Sequence, residues 1–275
     1  MSHLSGRDAV RISRRLCHRA LIAAWWLGLA ATVMAVPCAE AAPLDAAVAQ
    51  FRPYLVGRID ESLAQAKILR DKIASQDLAG AQQAWLAARG GWESAEVITD
   101  EVLPDLDRAI DAWPNAEAGF HAIEARLFGA HLLDVLPQAD ELVQNLADFQ
   151  RRLRDVPLTP QHLLNGTTKL TFEVGESKAD GGESQYSGNS IVEIGYNVVG
   201  IKAAYEAVFA AALETGDPAL AKTTARAIDQ LQQIVAVRNL QNLDQDQLRQ
   251  RSEELAVALR AAAPVIGLDK PNLEN

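Results

Sequence analysis

From about residue 44 onward, apolar residues recur at the spacing of one helix face. Leu44, Val48, Leu55, Ile59, Leu63 and Ile68 follow each other at steps of four to seven across 44–74, with Pro53 placed to kink that stretch. A second stripe, Leu78, Trp85, Trp92 and Val97, predicts another helix capped by Ser75 or Asp77. Residues 99–115 hold Pro104 and Pro114 and read as irregular. Helices follow at about 116–129 and 138–154, the latter ending before Pro157.

The pattern restarts at Thr159-Pro160, a cap followed by proline at the first helical position, and runs to about Ser177. A loop containing Gly181, Gly182 and Gly188 separates it from a helix over 189–214. Gly216-Asp217-Pro218 is a stop followed by a new start, with helix to about Leu240 and a last one over 244–262. No alternating strand pattern of useful length appears. The expected fold is all-α, two pseudo-repeated four-helix bundles with halves at about 44–156 and 157–265.

The first forty-one residues follow a different pattern. Arg7, Arg11, Arg14, Arg15 and Arg19 precede an apolar run from Ala20 to Val36, and Ala39-Glu40-Ala41 offers a small-x-small cleavage site. Residues 1–41 therefore read as a cleaved signal peptide, and 42–275 as an exported, periplasmic protein. Ser13-Arg14-Arg15 hints at twin-arginine export, and Pro37 before Cys38 argues against lipidation.

Composition narrows the chemistry. The 275-residue chain has a net charge of −10; losing residues 1–41, with five arginines, one aspartate and one glutamate, takes it to −13. Such a surface suits cations and disfavours nucleic acid. Both cysteines, Cys17 and Cys38, lie in the removed segment, so disulfides and thiolate metal sites are nearly excluded. Zincin, nucleophile-elbow and phosphate-loop motifs are absent.

Two short windows hold the candidate ligands. His121 and Glu124 share a helix face at i, i+3. Glu93 and Glu96 do the same beside Trp85 and Trp92, on a side that packs inward. Like charges at that spacing repel, and buried carboxylates need a counter-cation. One imidazole with three carboxylates is a hard, mostly oxygen donor set suited to iron, manganese or zinc. Asp107 and Asp111 lie near enough in sequence to complete it. The plain alternative for each pair is a solvated helix face. Histidine ligation predicts that binding weakens below about pH 6.

The halves also echo each other. Trp92-Glu93-x-x-Glu96 is matched by Phe172-Glu173-x-x-Glu176, and Gly119-Phe120-His121-x-x-Glu124 by Gly195-Tyr196-Asn197-x-x-Gly200. In a duplicated bundle pair, Asn197 and Gly200 remove the second site, while Glu173 is placed to reach the first as an extra oxygen ligand.

Gly119-Phe120-His121-Ala122-Ile123-Glu124 resembles the G-x-H-x-x-E signature of the imelysin-like family, which includes periplasmic components of bacterial iron-uptake systems of the EfeO and EfeM type. Trp92-Glu93-Ser94-Ala95-Glu96 is similar to its W-E-x-x-E segment. The run Glu173-Val174-Gly175-Glu176-Ser177-Lys178, then Gly182-Glu183 and Tyr186-Ser187, resembles a third segment, and Tyr196-Asn197-Val198-Val199-Gly200 a fourth. Gly188-Asn189-Ser190 departs from the His-Thr-Asp that often follows there. The resemblance implies two helical bundles and a metal site around His121 and Glu124. It also implies iron as the bound metal, with zinc as an alternative, and a membrane iron permease and a periplasmic peroxidase as partners. It carries a metallopeptidase label as the competing activity, with Glu96 or Glu124 as base. A polysaccharide- or partner-binding module is a third reading, disfavoured by the few tryptophans left after residue 41.

Overall fold

The computed structural model describes residues 44–111, 118–182 and 184–273, so the segment read as a signal peptide lies outside the described residues. Among the described residues all regular structure is helical, and no helix is long and apolar enough to cross a membrane. The first group comprises α1 (Leu44–Ala74), α2 (Leu78–Ala95), α3 (Thr99–Val102), α4 (Pro104–Asp111), α5 (Gly119–Glu124) and α6 (Leu136–Leu153). The second comprises α7 (Pro160–Glu176), α8 (Ser190–Ala204), α9 (Ala210–Gly216), α10 (Pro218–Val235) and α11 (Gln245–Val265).

In the first group α1 lies along α2 and α6, and α4 and α5 rest on α6 as the two pieces of a broken fourth side. In the second, α7, α8, α10 and α11 close a ring of four, each touching its two neighbours. The groups meet chiefly where α2 packs on α8. The C-terminal part of α2 is therefore buried on both flanks, from Ala88 to Ala95 without a break.

Local chemistry explains most boundaries. Asp77 caps α2, accepting from the Gly80 amide at 2.9 Å. Thr159 caps α7 through the His162 amide at 3.1 Å, with Pro160 where a free N–H would be wasted. Asp217 caps α10 through Ala219 and Leu220 in the same way.

Three departures from the sequence reading have physical causes. The stretch from residue 99, read as irregular, is helical over Thr99–Val102 and Pro104–Asp111, because Pro104 opens a helix rather than breaking one. The helix at 218 ends at Val235, not near Leu240; Asn239 instead accepts from the Asn242 amide at 3.2 Å and starts a separate turn. The helices containing His121 and Asn197 each widen into a π turn, at Ala125–Ala130 and Tyr205–Phe209. One extra residue per turn leaves the apolar periodicity almost unchanged over so short a span.

Trp85 and Trp92 are fully buried, as their inward stripe predicts. Trp92 packs edge-on to Phe149 with ring centroids 5.4 Å apart, and the Trp85 indole N–H donates to the Phe120 carbonyl at 3.0 Å. The first contact holds α6 against α2, and the second fixes α5, and with it His121, against the same helix.

Candidate metal centre

The inward face of α2 carries Trp85, Arg89, Trp92, Glu93 and Glu96 at successive helical steps. Arg89 and Glu93 have no exposed surface, and the Glu96 side chain is 18% exposed. Two glycines bring the other elements to this face. Gly119 has φ +72°, and a Cβ there would lie 2.3 Å from the Ile110 carbonyl. Only glycine lets α5 start against the end of α4, which sets His121 beside Asp111. Gly200 faces the Ser94 carbonyl, 2.6 Å from where its Cβ would be. That close approach of α8 to α2 places Asn197 over the two glutamates. A side chain at residue 200 is thus excluded by helix packing, which accounts for the carboxylate missing from the second-half echo.

Two polar nests result. In one, the Asn197 amide donates to Glu93 Oε2 and Glu96 Oε2, each at 2.7 Å, and to the Glu93 carbonyl at 3.1 Å. Lys178 Nζ reaches the same carboxylates, 3.4 Å from Glu93 Oε2 and 3.0 Å from Glu96 Oε2. In the other, His121 lies between Asp111 and Glu124, with Nε2 3.1 Å from Asp111 Oδ1 and Nδ1 3.6 Å from Glu124 Oε2. The Trp92 indole donates to Asp111 Oδ2 at 2.6 Å. Ser187 donates its amide and its hydroxyl to Glu124 Oε1 at 2.9 and 2.7 Å. Arg89 stands between the nests, paired with Glu93, Asp111 and Glu193. Glu193 accepts in turn from Ser184 and Asn189.

Electrostatics follow from this crowding. Burial opposes charge on His121, but hydrogen bonds to Asp111 and Glu124 outweigh it and raise its pKa to about 9. Burial pushes Asp111 up, and Arg89 and His121 more than offset it, holding the carboxyl well below the usual range. Glu124 is also lowered: burial raises it, and the bonds from His121 and Ser187 prevail. The metal-free imidazole therefore holds its proton at neutral pH. An incoming metal must displace that proton up to about pH 9, not merely below pH 6 as the histidine alone suggested.

Of the residues singled out from sequence, Glu93, Glu96, Asp111, His121 and Glu124 surround this one region. Among the described residues, however, no three His, Asp or Glu side chains stand at metal-binding spacing, because Arg89, Lys178 and Asn197 intervene. Glu173 borders this region through Glu96: its Oε1 is 3.9 Å from Lys169 Nζ, and it lines a small cavity with Asp107, Asp100 and Glu96. Burial raises Asp107 there to about 7. Glu183 lies outside the described residues. Sequence reasoning missed Arg89, Lys178, Glu193, Asn197 as a donor, and Ser187. Arg89 had a signal: it sits four residues before Glu93, between two tryptophans on an inward face.

The donor chemistry fits a cation. Glu93, Glu96, Asp111, Glu124 and Glu193 bring five carboxylates against the two permanent cations Arg89 and Lys178 and one histidine. Asn197 Oδ1 is a buried acceptor with no hydrogen-bond donor among the described residues.

The sequence model of imelysin matches residues 47–118 and 115–266, nearly the whole described chain. The chain belongs to the imelysin family. Among its relatives is the iron uptake system component EfeM of Pseudomonas syringae pv. syringae (strain B728a). It is 31% identical over 188 residues, covering 64% of this chain and 65% of the relative. The iron uptake system component EfeO of Escherichia coli O157:H7 is 28% identical over 167 residues, 57% of this chain and 44% of the relative. The chain thus spans less than two thirds of the length of these curated relatives. A solved structure described as an iron-regulated protein A precursor from Parabacteroides distasonis ATCC 8503 shares the fold. Its TM-score is 0.69 at 20% identity, covering 82% of this chain and 96% of the other. In this imelysin the G-x-H-x-x-E glycine is the residue that seats α5 on α4, and the W-E-x-x-E tryptophan is the one that holds Asp111.

Proposed function

We propose that the chain is a metal-binding component of an iron uptake system, acting in the periplasm. Iron, with zinc as the alternative occupant, would bind between Glu93, Glu96, His121 and Glu124, with Asp111 as a neighbouring oxygen donor. The observation that carries this reading is the charge imbalance around Arg89. Among the described residues, five carboxylates converge on three cations, Arg89, Lys178 and the protonated His121, in a largely buried volume, and an excess of buried charge of one sign is costly unless a counter-ion joins it. The names of the EfeM and EfeO relatives support iron as the cargo. A membrane iron permease and a periplasmic peroxidase are the partners assigned here, the first to move the ion and the second to change its oxidation state. Glu173 is left out of the donor set, because the cavity it lines includes Glu96 but not His121 or Glu124.

Binding is favoured over peptide hydrolysis by the state of the candidate bases. Glu96 is held by Lys178 and Asn197, and Glu124 by Ser187. Calorimetric titration of Fe²⁺ under anaerobic conditions, and separately of Zn²⁺, tests the reading. Wild-type protein should take up one ion, and His121→Ala should weaken binding at least tenfold. Equal binding by the two proteins would move the site elsewhere.

A further inference from the structure

Arg89 and Lys178 both neutralise the glutamates, but they are held differently. Arg89 has no exposed surface, pairs with Glu93, Asp111 and Glu193, and lies over the Trp85 and Phe120 rings at 5.8 and 5.1 Å. It is locked in place by packing as well as charge. Lys178 follows the end of α7, where its own amide donates to the Glu173 carbonyl at 3.0 Å and its carbonyl accepts from Gly181 at 3.1 Å. Its backbone is anchored, while four flexible carbons carry the ammonium inward. There it meets both members of the Glu93/Glu96 pair, at 3.4 and 3.0 Å, on the side where Glu96 retains solvent contact. A single positive centre bridging two carboxylates at i, i+3 stands where a bound ion would.

We infer that Lys178 is the resident counter-ion of the Glu93/Glu96 pair, and that an entering metal displaces its ammonium. The inference rests on the metal-binding reading. An ammonium and a divalent ion cannot share the same two carboxylates without strong repulsion in a buried setting. Loading is therefore a cation exchange: the metal gains the carboxylates, and Lys178 swings outward past Glu96 with its proton retained. The exchange keeps the metal-free protein folded and screens out ions whose attraction for the pair does not exceed that of an ammonium.

Two measurements test it. Lys178→Met keeps the stem and removes the charge, so Zn²⁺ affinity by calorimetry should rise at least tenfold over wild type. Lower or equal affinity would overturn the exchange and make Lys178 a residue that positions the carboxylates. Because the variant takes one cation away from two carboxylates and risks misfolding, the second measurement uses wild-type protein. Brief acetylation with and without saturating Zn²⁺, read by peptide mass spectrometry, should show Lys178 protected without metal. With metal, its labelling should rise at least fivefold relative to Lys202, which pairs with Glu206 and Asp229. Unchanged or reduced labelling of metal-loaded protein would overturn the exchange while leaving the metal site intact. Failure of both proteins to bind any metal would remove the metal reading itself.

Discussion

At the scale of single residues, the decisive group is Arg89, and it supports two predictions. Replacing it with leucine leaves Glu93, Asp111 and Glu193 without their shared partner. Breaking a buried ion network from one side costs roughly 3–5 kcal/mol. Urea denaturation of Arg89→Leu should show a loss of that size; a loss under about 1 kcal/mol would mean the carboxylates are neutralised by other means. The second prediction concerns pH in metal-free protein. The folded pKa of His121, about 9, lies above the roughly 6.5 of an unfolded histidine. Its stabilisation is therefore complete below about pH 6.5 and is lost as pH rises through about 9. Stability should fall across that window by up to roughly 3 kcal/mol, and His121→Gln should flatten the curve. A wild-type curve already flat there would contradict the pairing with Asp111 and Glu124. The sequence made His121, Glu124, Glu93 and Glu96 visible because helical spacing places them in pairs. It showed Lys178 within a family-like segment but gave it no part in the site, because nothing local tells a surface lysine after a helix from one that folds back 82 residues away onto Glu96.

At the scale of elements, the close approach of α8 to α2 makes the site, and Gly200 permits it. Gly200→Ala puts a methyl 2.6 Å from the Ser94 carbonyl, a backbone atom that cannot move aside cheaply. The helices must separate, at a cost of about 1–3 kcal/mol, and Asn197 must draw back from Glu93 and Glu96. Thermal denaturation should show the lower stability, and metal affinity should fall with it; an unchanged melting temperature would show that the contact is looser than described. Helix positions were legible because their starts are chemically marked by Asp77, Thr159-Pro160 and Asp217-Pro218. The π turns at Ala125–Ala130 and Tyr205–Phe209 were not, since a widened turn depends on what packs around it. Pro104 was misread for a related reason: proline ends one helix and begins another with equal ease.

At the scale of the whole molecule, the two helical groups carry unequal chemistry. Cations and carboxylates come from both, since α2, α4 and α5 of the first meet α8 and the residues after α7 of the second. The sequence echo suggested duplicated halves with both glutamate pairs at the junction. Glu93 and Glu96 lie there, and Glu173 lines a small cavity at the same junction with Glu96, while Glu176 pairs with Arg249 on α11. Export belongs to this scale too. Intact mass of periplasmic material should correspond to a start near Ala42; a retained N-terminus or a lipid on Cys38 would contradict the reading of residues 1–41. The central claim, that a metal joins the carboxylates around Arg89, is tested most directly by diffraction from metal-soaked crystals at the iron or zinc absorption edge. The account predicts one strong anomalous peak enclosed by Glu93, Glu96, His121 and Glu124, with the Lys178 ammonium moved away from it. A peak elsewhere, or none at saturating metal, would contradict it.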